Sequence, residues 1–148
     1  MKRDLIDSVL VGIFLMINAY WDIRKRKIWL WSIGVFGAVG IVSLFFVEKD
    51  MILESFCGIF PGLFLILCSY VTRQAIGLGD GMAVFVCGLY LGFWQTFAML
   101  FYALLFCAAT SIFMLALKKR TYKSGVPFLP YLFAGYVCVC LFMRGAGA

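Results

Sequence analysis

Nothing in this chain stays polar for long. Apolar runs of membrane-crossing length succeed one another, separated by short charged or glycine-rich stretches, and 65% of the 148 residues are hydrophobic against 14% charged. Soluble domains carry about 45–50% apolar residues, so lipid is the solvent this composition fits. Unpaired backbone is prohibitive in hydrocarbon, which makes the runs helices, and each crossing takes about 20 apolar residues. Hydropathy and chain breakers predict about six spans, at 5–22, 28–47, 52–71, 80–95, 97–117 and 127–143. The expected fold is an all-α polytopic bundle, a single membrane domain over residues 1–148 with no separate soluble domain.

The connectors differ in charge. Residues 23–27 are short and basic, 48–51 mostly acidic and 118–125 basic and polar, while Trp94-Gln95-Thr96 is barely a turn. With about six spans and both termini on one face, Arg24, Lys25, Arg26, Lys27, Arg73, Lys118, Lys119, Arg120 and Lys123 collect on one side. Lys2, Arg3, Lys49 and Arg144 fall on the other. An excess of Lys and Arg marks the cytoplasmic side, so both termini are expected outside and the loops after spans 1, 3 and 5 inside. Because the basic residues cluster at span ends, the net charge of +6 reads as a topology signal, and no nucleic-acid partner is expected. The first run has no small-x-small cleavage site and ends in Tyr20-Trp21-Asp22 before its basic cluster, as a retained span does.

The residue inventory narrows the chemistry. The chain has no histidine, which excludes Ser-His and Cys-His catalysis and His-ligated zinc. Cys57, Cys68, Cys87, Cys107, Cys138 and Cys140 are scattered through apolar runs with no C-x-x-C among them, and they read as small hydrophobes. No metal or cofactor is expected. An enzyme of this composition must work with carboxylates, lysines or bare hydroxyls.

Asp4, Asp7, Glu48, Asp50 and Glu54 sort to the less basic face, which leaves Asp22 and Asp80 as the two acidic residues on the basic side. Asp22 ends span 1. Asp80 begins span 4 within Gly77-Leu78-Gly79-Asp80-Gly81, so the two carboxylates share one membrane depth. An aspartate at the centre of a spanning helix costs about 2.5–3.5 kcal/mol, less near the ends, and marks a functional site by default. Two carboxylates a few ångströms apart do not both ionise cheaply, so one stays protonated while the other remains a base. Such a pair can deprotonate a water that attacks a peptide carbonyl and protonate the carbonyl oxygen. Gly77, Gly79 and Gly81 remove side chains around Asp80 and allow unusual backbone, with room for an extended substrate and water. Plainer readings stand beside these: Asp22 as a charge neutralising the basic cluster, Asp80 as a helix N-cap, and the glycines as close helix packing.

Three segments, in order, carry a resemblance. Asp22-Ile23-Arg24-Lys25-Arg26-Lys27-Ile28 is one, Gly77-Leu78-Gly79-Asp80 with the helix ending Gly88-Leu89-Tyr90-Leu91-Gly92 is the second, and Val126-Pro127-Phe128-Leu129-Pro130-Tyr131-Leu132-Phe133-Ala134-Gly135 is the third. Together they resemble the type IV prepilin peptidases, GxGD-type membrane aspartyl proteases of bacteria with archaeal preflagellin peptidases as relatives. The third matches the family's proline-aromatic-x-proline opening of the last helix, whose plainer reading is a helix start set by Pro127 and Pro130. The chain departs from the family at Trp29 and Leu30, where proline and asparagine usually follow the isoleucine, and at Met82, where many members carry lysine.

The resemblance implies that Asp22 and Asp80 are catalytic, and that Gly77, Gly79, Gly81, Pro127 and Pro130 support them. It implies an aspartic endopeptidase of the bacterial cytoplasmic membrane. The substrate would be a prepilin-like protein whose basic leader is cut after a glycine, at the cytoplasmic boundary of its N-terminal membrane helix. Larger family members carry an additional cytoplasmic segment and methylate the new N-terminus; no such segment is present in this sequence, so N-methyltransferase activity is not expected. A rival class is a six-helix transporter or substrate-binding subunit using the aspartates for a proton or cation, although such sites usually lie at mid-membrane depth. A degenerate scaffold is a third, against which the retention of both aspartates argues.

Overall fold

The computed structural model describes residues 2–25, 30–44, 49–72, 77–116 and 127–146. They form five helices: α1 (Lys2–Lys25), α2 (Leu30–Leu44), α3 (Lys49–Val71), α4 (Leu78–Ala116) and α5 (Leu129–Ala146). Among the described residues, three segments are long and apolar enough to cross a membrane, Ile6–Lys25, Ile52–Val71 and Leu78–Ala116, and Leu30–Leu44 and Leu129–Phe142 are shorter apolar helices. The expected connectors at 26–27, at 48 and at 118–125 lie outside the described residues.

The boundary expected between spans 4 and 5 is corrected in the middle of the chain. Predicted spans 4 and 5 follow one another as two arms of α4, and Trp94-Gln95-Thr96 is helical within the second arm. The interruption falls earlier, at Gly92, whose φ of 74° and ψ of −179° leave the helical region. An unbroken helix of 39 residues would rise about 58 Å, nearly twice the roughly 30 Å of bilayer hydrocarbon. Gly92 divides it into arms at 78–91 and 93–116.

Side-chain periodicity sets what each helix buries. On α1, Val11, Phe14, Leu15, Asn18, Ala19 and Asp22 are buried, a spacing of three and four that makes one helical face. The other face exposes Val9, Ile13, Met16, Tyr20 and Ile23, apolar residues suited to lipid. On α5, Leu129, Leu132, Tyr136 and Val139 form the buried stripe. The first arm of α4 is the hub, with Ala83, Val84, Val86, Cys87, Leu89 and Leu91 buried almost all round.

Small residues let backbones meet where lipid supplies no hydrophobic drive between helices. A Cβ on Gly58 of α3 would meet the Gly88 carbonyl, one on Gly62 the backbone of Phe85, and one on Gly81 would stand 2.9 Å from the Ile66 nitrogen. Glu54 of α3 lies against Gly92. Positions 54, 58, 62 and 66 thus descend past 92, 88, 85 and 81, so α3 runs antiparallel to the first arm of α4. On its other side α2 packs in parallel, with Gly37 near Val86, Gly40 against Tyr90, and the Tyr90 hydroxyl donating to the Phe36 carbonyl at 2.6 Å.

Helix α1 runs antiparallel to both α5 and α2. Its Ser8 carbonyl accepts from the Tyr136 hydroxyl while Asp22 meets Leu129, which fixes α1 against α5. Phe14 packs at a tilt against Phe36, ring centroids 5.1 Å apart, and Ser32 donates to Asn18 at 2.8 Å, which fixes it against α2. The C-terminal end of α1 and the N-terminal ends of α4 and α5 therefore gather at one end of the bundle. Arg24 and Lys25 are at that end, and Asp7 and Glu54 are at the other, near Tyr90 and Gly92.

Candidate active site

The site forms where those three helix ends meet. Asp22 is carried by the last turn of α1 and, despite its charge, is only 8% exposed. It is buried because it continues the inward stripe of α1, one turn beyond Asn18. Its Oδ2 accepts the backbone N–H of Leu129 at 3.3 Å. The neighbouring cations turn to aromatic rings of their own helix: Arg24 lies 5.5 Å from the Tyr20 ring and Lys25 Nζ 4.3 Å from the Trp21 ring.

Asp80 lies in the first turn of α4 and is half-buried. Its amide donates to the Gly77 carbonyl at 3.0 Å and that of Gly81 to the same oxygen at 3.4 Å, so Gly77 closes the first turn. The Asp80 carboxylate folds back over it: a Cβ on Gly77 would stand 2.7 Å from Asp80 Oδ2 and 3.2 Å from Cγ. Asp80 in turn lies within electrostatic range of Asp22. Two carboxylates 58 positions apart in the chain thus stand at the same end of the bundle, within electrostatic range of each other.

The remaining predicted residues divide. Gly77 is exposed beside Asp80, Gly79 is half-buried as the second residue of α4, and Pro127 and Pro130 flank the start of α5. Gly81 is buried against Ile66, where it serves α3–α4 packing, the plainer reading of these glycines. Met82 is half-buried one turn into α4 and Leu30 opens α2, while Trp29 lies outside the described residues.

Two participants were not singled out from the sequence. One is the Leu129 amide, a backbone donor beneath an apolar side chain; its signal was the pair of prolines marking a helix start, where N–H groups lack intrahelical partners. The other is the buried polar layer beneath Asp22. Asn18 is fully buried, its amide donates to the Phe14 carbonyl at 2.8 Å, and its Oδ1 accepts from the Ser32 hydroxyl at 2.8 Å. This ties the rotation of α1 to α2 one turn below the aspartate.

Comparison with known proteins adds one match. Residues 9–112 fit the sequence pattern of the type IV leader peptidase family, a stretch that holds Asp22 and Gly77–Gly81 and stops short of α5. No curated protein and no solved structure matches the chain.

Proposed function

From the premise that this chain belongs to the type IV leader peptidase family, and so is a protease, we propose that it is an aspartic endopeptidase whose catalytic groups are Asp22 and Asp80. Adjacent carboxylates share a proton, because both charges together are expensive. The ionised member takes a proton from water as the water oxygen attacks the scissile carbonyl. The protonated member donates to the carbonyl oxygen, and the exchange reverses when the tetrahedral intermediate collapses and the amine leaves with a proton.

The observation that carries this reading is the placing of the two aspartates at the same end of the bundle, one buried and hydrogen-bonded to α5 and the other folded over Gly77. Arg24 and Lys25, the residues that positive-inside topology assigns to the cytoplasm, lie at the same end of the bundle. The substrate we infer is a prepilin-like precursor whose basic leader stays on that side and ends in glycine before an apolar helix. A mid-membrane transport site fits the end-of-bundle position less well.

The test is co-expression with a candidate prepilin, read as a gel shift on leader removal. Wild type is expected to shorten the precursor, and Asp22→Asn and Asp80→Asn to leave it full length while still inserting in the membrane. Cleavage by both variants would overturn the assignment.

A further inference from the structure

The first turn of an α-helix leaves its N–H groups without intrahelical partners and carries the positive end of the helix dipole. In α5 those donors can be followed one by one. Leu129 is first, Pro130 has no N–H, and the Tyr131 and Leu132 amides both donate to the Phe128 carbonyl at 3.0 Å. Among the described residues the Leu129 amide is the first-turn donor that leaves the helix, and it goes to Asp22 Oδ2, 107 positions away in sequence. The Leu129 side chain is fully buried, which anchors the amide from below.

We propose that the start of α5 is a positioning element for the aspartate pair, with the Leu129 N–H holding the Asp22 carboxylate in its reacting orientation and stabilising its charge. Leu129 touches no reacting atom; it acts through Asp22, and the proposal rests on the reading of Asp22 and Asp80 as the catalytic groups. Pro130 sharpens the device by withholding a competing donor at the next position. The arrangement also places the two ends of the chain under one constraint, since α1 supplies the carboxylate and α5 the donor that orients it.

The N–H can be separated from the side chain. Leu129→Ala keeps the amide and loses packing; Leu129→Pro loses the N–H at a helix position where proline is tolerated and keeps the Phe128 amide carbonyl. Replacement of Leu129 by its α-hydroxy acid turns the amide into an ester, which keeps the side chain and removes the N–H. It also weakens the Phe128 carbonyl as acceptor for the Tyr131 and Leu132 amides, a loss that an Asp22→Ala background shares. The assay uses the full chain in liposomes with a designed precursor of basic leader, glycine and apolar helix. A charge-assisted hydrogen bond felt at the transition state corresponds to a fall in kcat of roughly ten- to a hundred-fold. That fall is expected for the ester and Leu129→Pro with KM within about two-fold, while Leu129→Ala melts earlier and keeps most of its kcat.

Wild-type kcat in the ester variant, or an equal fall in Leu129→Ala, would overturn the proposal. Asp22→Asn and Asp80→Asn are run beside these. If they cleave, the catalytic reading falls; if they are dead and the ester is fully active, only the positioning proposal falls. A melting cycle needs no substrate: the ester is expected to lower the melting temperature in wild type and much less in Asp22→Ala. Equal lowering in both would contradict the Asp22–Leu129 coupling.

Discussion

Gly77 is a glycine because of where Asp80 puts its carboxylate: a Cβ there would stand 2.7 Å from Asp80 Oδ2. The Gly77 backbone itself is not in the left-handed region, and the atom in the way is the far end of a side chain. Gly77→Ala should therefore leave folding intact, within about 0.5 kcal/mol as for other exposed changes, yet displace the carboxylate. A misplacement near 1 Å costs roughly a hundred-fold in rate. The check is kcat beside a melting curve. Unchanged kcat with an unchanged melting curve would show that the carboxylate has no fixed place to lose.

The opposite outcome is expected where a glycine meets backbone. Gly58→Ala and Gly88→Ala drive a methyl into the facing helix, Gly88 against the Gly58 carbonyl and Gly58 against that of Gly88. Neither backbone can give without parting α3 from α4, so each should destabilise by about 3 kcal/mol, the upper part of the overpacking range. Gly34, where an added methyl would meet nothing within 4 Å, is the control: Gly34→Ala should be neutral or stabilising by up to about 1 kcal/mol through helix propensity. Chemical unfolding in detergent separates the three.

At Gly92 the backbone supplies the cost. With φ 74° and ψ −179° it occupies a region almost confined to glycine, and Gly92→Ala should lose about 1–3 kcal/mol. Glu54 would crowd the new methyl as well, with Cγ at 3.0 Å. Gly92→Ala melting like wild type would contradict the break in α4.

The Asn18–Ser32 hydrogen bond makes a prediction of asymmetry. Ser32→Ala strips the donor from a fully buried Asn18 Oδ1 and should cost about 1–3 kcal/mol. Pairing it with Asn18→Leu removes the stranded acceptor and should recover part of the loss. A double variant less stable than the sum of the singles would count against this pairing.

Much of the site was legible because it is carried by charge. In so apolar a chain, Asp22 and Asp80 stand out, and the placing of basic residues put them on one side before any packing was known. The break in α4 lies two residues before Trp94-Gln95-Thr96, where hydropathy puts it, because hydropathy registers polar side chains and the Gly92 break is in the backbone φ and ψ. The role of Gly81 depended on which helix faces it, and nothing in a single sequence pairs it with Ile66. Leu129 stayed hidden for a related reason, since its contribution is a backbone N–H and its side chain reads as core.

The most direct test is cleavage of a designed precursor by the purified chain in liposomes, under single-turnover conditions. Wild type, Asp22→Asn and Asp80→Asn are compared at equal folded amounts. The account predicts leader release by wild type and loss of at least about a thousand-fold in each variant, because catalytic groups acting as a unit fail together. Leader release at the wild-type rate by either variant would contradict the aspartate pair.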